Sequence, residues 1–302
     1  MPLKPRSESK ELIIMRFLNT RMVLSTKDKK RYSNLEKGYQ GEVRFDQLTA
    51  NLQNDLYIIN DLCLEFNNSE FQIDTLIISQ ETIYPFEVKN YEGAYYYESE
   101  SFYSKLTKEE IKNPLDQLKR SSSLLRPLLK KLGIFLPIEG QVVFVNPGFT
   151  LYQAPLNAPI IYPTQLITHM GKLNKTPSKL NSRHKKLADQ LISMHQSESR
   201  YSQFPSYKYE QLKKGLTCSG CHSFAILVGE KKLVCEKCGC EEDIESAVLR
   251  SVKELKLLFP DRKITTNGIY EWCNVIASKK IIRRILMANL TSVGMRHLRY
   301  FV

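Results

Sequence analysis

The sequence predicts an α/β protein in which a sheet is flanked by helices, followed by a small cysteine-bearing ribbon and a compact helical tail. Three observations predict it. Apolar runs at about 56–65, 72–79 and 82–89 have strand length and lie between segments of helical periodicity. Cysteines gather in two close pairs between 218 and 238. The end of the chain reads as helix, short turn and helix, with basic residues early in the second helix.

Each element has its own signal. Residues 8–24 predict a helix, with apolar side chains at 12, 13, 15, 17, 18 and 22. Lys27 to Arg31 reads as a basic loop. Ser33 is placed to cap a second helix running to about Asn51, with Glu36 at the capping-box position. Gly38 and Gly41 fall inside that helix, where glycine costs stability. Both suit the close approach of another chain, either as room for a substrate or as tight helix–sheet packing. After the three strands, Tyr95 to Tyr97 and Phe102-Tyr103 flank an acidic turn and predict a short hairpin. Asn113 caps a helix with Pro114 in its first turn, Pro127 as a kink point and Gly133 as its end. A buried strand follows at 141–145, a short one at 159–162 and a helix from Thr164. Lys172 to Arg183 reads as a loop, Lys185 to His195 as a helix and Ser197 to Pro205 as a linker. The domain reading is a basic helical extension at 1–32, the α/β domain at 33–170 and a basic linker region with one helix at 171–214. A ribbon at 215–242 and a helical domain at 243–302 complete it.

Bulk properties narrow the function classes. The chain has 302 residues, 42% hydrophobic and 25% charged, a soluble globular composition with room for several domains. No apolar run reaches the roughly 18 residues of a membrane span. Arg16 interrupts the apolar stretch at 12–15 and no small-residue cleavage site follows, so the expected compartment is the cytoplasm. Net charge is +12, unevenly spread. Residues 38–170 carry 10 basic and 16 acidic side chains, whereas residues 1–37 carry 10 and 4 and residues 171–214 carry 10 and 3. Basic flanks around an acidic centre suit a polyanion held at the sides and a cation recruited in the middle. Seven cysteines in so long a chain, with one tight cluster, do not make a secreted disulfide framework. Cys63 and Cys273 sit alone in apolar contexts and are expected to be buried.

The acidic centre holds the most informative stretch, Phe71-Gln-Ile-Asp74 through Glu87-Val-Lys89. Strand residues two apart share a face, so Glu87 and Lys89 point the same way. With Gln80-Glu81 as a two-residue turn, Ser79 pairs with Thr82 and Asp74 falls opposite Glu87 as a non-hydrogen-bonded pair. Pro85 then lies opposite Leu76, and pairing on the far side of its strand is expected to begin after it. Two carboxylates and an ammonium on one face suit a hard divalent cation and an activated water. The same residues would also form a buried lysine–carboxylate network with no turnover.

The series Gly38-Tyr-Gln-Gly41-Glu42, Gln72-Ile-Asp74, Glu87-Val-Lys89-Asn-Tyr and Asn113-Pro114 with Gln117 resembles the nuclease-related domain, NERD. This is a bacterial branch of the PD-(D/E)xK, restriction-endonuclease-like superfamily, and the resemblance covers about 33–170. It implies a restriction-endonuclease-like sheet flanked by helices. It also implies that Asp74 and Glu87 hold Mg²⁺ (or Mn²⁺) and that Lys89 orients water or stabilises charge. Glu42 would add a ligand or position water, and Gln117 would contact the water or a phosphate.

Cys218-Ser-Gly-Cys221 and Cys235-Glu-Lys-Cys238 have the spacing of a structural tetrathiolate Zn²⁺ ribbon, with Cys240 as an alternative to Cys238. Residues 224–228 and 232–234 read as its strands. In the tail, Ser278 caps a helix whose Lys279, Lys280, Arg283 and Arg284 suit phosphates or base edges in a helix-turn-helix arrangement. Arg296, Arg299 and Tyr300 to Val302 suit a wing strand. A basic face that only meets solvent is the alternative. Together these readings predict a Mg²⁺-dependent deoxyribonuclease, with DNA as the first substrate class and RNA as the second. The competing prediction is a catalytically silent nucleic-acid-binding or partner-recruiting protein.

Overall fold

The computed structural model describes residues 1–196, 204–229, 232–274, 276, 278–295 and 298–302. Its regular elements begin with helices α1 (Lys10–Arg21) and α2 (Thr26–Ala50). Strands β1 (Tyr57–Phe66), β2 (Ser69–Ile78), β3 (Ile83–Lys89), β4 (Gly93–Glu98), β5 (Ser101–Ser104) and β6 (Glu110–Ile111) follow. Next come α3 (Pro114–Lys131), β7 (Gln141–Phe144), β8 (Phe149–Tyr152), β9 (Ile160–Ile161), α4 (Leu166–Lys175) and α5 (Ser182–Ser193). The last part holds β10 (Ile226–Val228), β11 (Lys232–Cys235), β12 (Glu241–Asp243), α6 (Ile244–Leu258), α7 (Thr266–Cys273) and α8 (Lys279–Asn289). Strands β13 (Ser292–Val293) and β14 (Tyr300–Phe301) end it. Two compact units result: Met1–Ser9 with Ser33–Ser202, and Lys10–Tyr32 with Gln203–Val302.

In the first unit the main sheet has the order β1-β2-β3-β7-β9. β1, β2 and β3 are antiparallel, because tight turns join them, while β7 and β9 run parallel to β3. The β2–β3 register is the expected one: Leu76 faces Pro85, and Ser79 N–H donates to Thr82 O at 3.0 Å to close the two-residue turn. The β3–β7 ladder begins at Phe86, but an isolated bridge joins Ile83 to Ile138 ahead of Pro85. Pro85 therefore interrupts that edge rather than starting it. A second sheet, β6-β5-β4-β8, contains the expected hairpin of Tyr95–Tyr97 with Phe102-Tyr103. Leu62, Leu64, Phe71, Ile73 and Leu76 pack with Leu125 and Leu128 of α3 and with Leu187, Ala188 and Leu191 of α5. Phe45 of α2 and Leu166, Met170 and Leu173 of α4 pack with Ile77, Phe86 and Val143. The sheet is thus covered by helices on both faces.

Helix α2 starts seven residues before the expected cap Ser33, so Lys27 to Arg31 is helical rather than a loop. Ser25 explains the shift: its hydroxyl accepts Asp28 N–H at 3.1 Å and bonds the Asp28 carboxylate at 2.6 Å. That interaction caps the earlier start. The expected helix start at Asn113 is present, its side chain accepting Leu115 N–H, and α3 continues through Pro127 to Lys131. The two glycines of α2 differ in what surrounds them. A Cβ on Gly41 would lie 2.4 Å from Cβ of Asn90, so this glycine serves helix–sheet packing. A Cβ on Gly38 meets nothing within 4 Å. Gly41→Ala is expected to cost about 1–3 kcal/mol by forcing Asn90 aside. Gly38→Ala is expected to stabilise by about 0.5–1 kcal/mol through helix propensity. Denaturant midpoints of opposite displacement check this pair.

In the second unit the ribbon sheet is β10-β11-β12 and the tail is α6, α7 and α8 with the β13–β14 hairpin. Ser278 caps α8 as expected, while Thr265 caps α7 and Asn274 ends it at a φ of 50°. Tyr300 and Phe301 form the expected terminal strand, while Arg296 and most of the expected 197–205 linker lie outside the described residues. Arg21 is buried in this unit. It donates to both Glu254 oxygens at 2.6 and 2.7 Å and to the carbonyls of Lys213 and Gly215, with its guanidinium 4.1 Å from the Trp272 ring. Glu254→Ala would leave that cation without its carboxylate and is expected to cost about 3–5 kcal/mol, read by equilibrium unfolding.

Candidate functional site

The sheet ladder opens around Asp74. On the β1 side the pairing passes from Asn60↔Thr75 to Leu62↔Ile73, and Asp61 takes a φ of 52°. On the β3 side the ladder stops at Thr75↔Phe86. The pair of Asp74 with Asp61 is thus missing from the β1 ladder, and the β3 ladder ends one residue before Asp74. Its side chain takes over part of the missing pairing: Oδ2 accepts Val88 N–H at 2.7 Å. The ladder thus ends one pair short of the expected Asp74–Glu87 pairing, yet both carboxylates are buried and the charge of Glu87 acts on Asp74. Lys89 Nζ donates to Glu87 Oε1 at 2.6 Å, which completes the expected group on one strand face.

The N-terminal segment supplies the rest of the support, which sequence reasoning missed. Leu3 N–H donates to Ile58 O and Asn60 N–H to Lys4 O, so this segment runs along the edge of β1. Lys4 Nζ donates to the carbonyls of Asn60 and Asp61 at 2.9 and 2.7 Å. Arg6, whose side chain is 3% exposed, donates to Glu42 Oε2 at 2.7 Å and to both Asp46 oxygens at 2.8 and 3.0 Å. It also donates to the Asp74 carbonyl at 2.7 Å. Glu42 and Asp46 are four apart on α2 and share a face, a pairing readable from the sequence. Nothing local in the sequence marks Arg6, because its partners lie 36 to 68 positions away.

Electrostatics follow from the burial. Asp74 is held well above the ordinary carboxylate range, first by desolvation and then by the charges of Glu87 and Glu42. Burial pushes Glu42 up to about 7, against the pull of Arg6 and Lys89. Burial alone would lower Lys89, but the Glu87 and Asp74 carboxylates outweigh it and raise its pKa above the usual value. Lys89 is therefore a fixed cation at neutral pH and not a base. The Tyr91 hydroxyl stands in the field of Lys89 and Glu87 and is raised by burial. Gln117 is half-buried in the first turn of α3, and its side chain has no hydrogen-bond partner among the described residues. The structure thus joins Glu42, Asp74, Glu87 and Lys89 in one electrostatic group and leaves Gln117 apart from their hydrogen bonds. Crowded carboxylates that repel one another and resist ionisation are what a hard cation relieves. Mg²⁺ characteristically takes one or two protein carboxylates and fills its other positions with water and phosphate. The donor set fits that ion.

The cysteine site is tighter. The sulfurs of Cys218, Cys221, Cys235 and Cys238 all lie within 4.8 Å of one another, and this group excludes Cys240. Cys218 Sγ is 3.6 Å from Cys238 Sγ, and Cys221 Sγ is 3.5 Å from Cys235 Sγ. Tetrahedral zinc with Zn–S of about 2.3 Å needs edges of about 3.8 Å, so the cluster fits a zinc ribbon. N–H groups of Gly220 and Cys221 point at Cys218 Sγ at 3.3 and 3.5 Å. They lower its thiol pKa although burial opposes ionisation. Cys240 instead uses its backbone, its carbonyl accepting Cys235 N–H at 2.9 Å. Cys63 and Cys273 are buried as expected.

On α8, Lys279, Lys280, Arg283 and Arg284 are all exposed, while Ile282, Ile285 and Leu286 are buried. Lys279 Nζ sits 5.3 Å from the Tyr270 ring. No described helix is long and apolar enough to cross a membrane. No curated protein and no solved structure matches the chain. The stretch that contains the opened ladder, its carboxylates and Lys89 does match a family model: residues 37–145 match the nuclease-related domain (NERD).

Proposed function

We propose that this protein is a nuclease that hydrolyses DNA phosphodiester bonds with Mg²⁺ or Mn²⁺, the α/β domain cutting and the ribbon and tail placing the substrate. The observation that carries the reading is the buried group of Asp74, Glu87 and Lys89 at the opened ladder of a nuclease-related domain. Asp74 and Glu87 would hold the ion, which supplies Lewis-acid stabilisation of phosphate charge and an acidified water. Lys89, kept protonated by Glu87, stabilises charge that develops on the phosphate and holds the Glu87 carboxylate in place. Glu42, with a pKa near 7, is suited to orient or accept a proton from water at neutral pH. Gln117 is assigned to a phosphate or to the water from its place in the first turn of α3. Zn²⁺ at Cys218, Cys221, Cys235 and Cys238 is structural, since four protein ligands fill a tetrahedron. Lys279, Lys280, Arg283 and Arg284 contact DNA. Cysteine pairs at zinc spacing, rather than a disulfide framework, suit the cytoplasm.

One observation favours the second reading, a silent nucleic-acid-binding protein: Glu42 is already engaged by Arg6. Incubation with linear, circular and single-stranded DNA and with RNA, in Mg²⁺, Mn²⁺ or chelator, separates the two. Metal-dependent cleavage lost in Asp74→Ala is expected. Salt-sensitive binding with no cleavage in any metal would establish the silent reading instead.

A further inference from the structure

We propose that the turn between α4 and α5 is a second nucleic-acid surface, which grips the phosphodiester backbone of a duplex at a distance from the carboxylates. Lys172 and Lys175 are three apart on α4, Lys179 lies in the turn, and Arg183 and Lys186 are three apart on α5. All five are exposed, and none has an ion-pair partner among the described residues. Lys185, by contrast, pairs with Asp189. The nearby acids Asp55 and Glu81 form no ion pair with any of the five and bond neutral amides instead. The Asp55 carboxylate accepts Leu180 N–H at 2.7 Å, and the Glu81 carboxylate accepts the Gln80 amide at 2.9 Å.

The backbone that carries these cations is firmly held. Asn54 donates to the carbonyls of Leu173 and Thr176. Gln53 N–H donates to Asn174 Oδ1 at 2.8 Å, and Ser178 Oγ donates to Asp55 O at 2.6 Å. Gln80 donates its N–H to Ser178 Oγ and accepts Lys179 N–H. Asn181 caps α5. Cations on a fixed frame lose less freedom when they meet an anion, so the arrangement favours binding over mere solubility. A repeating phosphate chain is the occupant that complements several fixed cations at once.

The position adds a length. Gln80 fastens the turn to the β2–β3 end of the hairpin, and Glu87 lies along β3 from there. At about 3.3 Å per strand residue the two are about 20 Å apart. A duplex rises about 3.4 Å per base pair, so one lying along the hairpin spans that distance in about six base pairs. The inference rests on DNA as the substrate class, and its test runs without cleavage.

The experiment measures fluorescence anisotropy of a duplex of about 20 base pairs with the full chain, in chelator, between about 50 and 200 mM salt. The Lys175→Ala, Lys179→Ala, Arg183→Ala triple variant is expected to shallow the log–log salt slope by about 2–3. It should lose at least about tenfold in affinity, equally on a scrambled sequence. Lys280→Ala with Arg284→Ala should remove a separate, additive increment. These exposed substitutions should leave the circular-dichroism melt unchanged. An unchanged slope and affinity in the triple variant overturns the proposal. So does equal competition by poly-glutamate, which would assign the surface to an acidic protein. Wild-type binding without cleavage in Mg²⁺ defeats the nuclease reading and leaves this one standing. Cleavage with an unchanged slope does the reverse.

Discussion

Asp74→Asn is expected to abolish metal-dependent cleavage while raising the melting temperature of the metal-free protein. The loss should be at least about a hundredfold to a thousandfold, as for removal of a group that fixes transition-state charge. The stabilisation follows from burial. Asp74 is held well above 3.8 and Glu42 is pushed from 4.5 up to about 7. As pH rises through the unfolded values, the unfolded chain ionises while the folded chain keeps its protons, so folding loses stability. For Glu42 that loss continues to about pH 7. From these two groups the metal-free protein should be more stable at pH 5 than at pH 8. Asparagine removes the Asp74 part and keeps an oxygen to accept Val88 N–H. Mg²⁺ or Mn²⁺ should raise the melting temperature of the wild type, because it binds the folded state, and should not raise that of the variant. Melting curves at pH 5, 7 and 8 with and without the ion check this. A wild type indifferent to both ions, or a variant that melts lower than wild type at pH 8, would contradict the assignment of Asp74.

Removing metal from the cysteine cluster is expected to have the largest structural effect. The ribbon strands are three or four residues long, and Leu227 and Val228 of β10 are exposed, so there is little core to hold them. Binding of structural zinc contributes about 10–16 kcal/mol in small zinc domains, and that energy is folding energy. One zinc per chain should be found by elemental analysis and released by a thiol reagent. Cys235→Ala should lose it and make the segment near 218–243 protease-sensitive. Cys240→Ala should retain it, since the Cys240 sulfur lies outside the cluster and its contribution to β11 comes from a carbonyl. Zinc lost equally in Cys240→Ala and Cys238→Ala would mean that both thiols ligate.

The register of the hairpin was legible because period-two alternation and a two-residue turn leave one solution in which the apolar face stays buried. The α8 cap was legible because Ser278 acts on its own neighbours. The start of α2 was misplaced because Ser25 and Ser33 carry the same local signal. A single helix can use only one of them, and the Ser25–Asp28 pair fixes which. The role of Gly41 needed the position of Asn90, which the sequence does not specify.

Legible from the chain alone were the residues of the candidate sites: Asp74, Glu87 and Lys89 on paired strands, close cysteine pairs at zinc spacing, and a basic face on the last helix. Those features depend on spacing along one or two adjacent segments, where backbone geometry converts position directly into proximity. Folding was needed to show that the ladder opens at Asp74, that Lys4 takes up the carbonyls of Asn60 and Asp61, and that Arg6 takes up that of Asp74. Arg6 also bridges α2 to that opening through Glu42 and Asp46. A backbone carbonyl carries no sequence signature, and a buried arginine finds its partners by packing rather than by spacing. Backbone groups left without a ladder partner must be satisfied by whatever the fold brings near them.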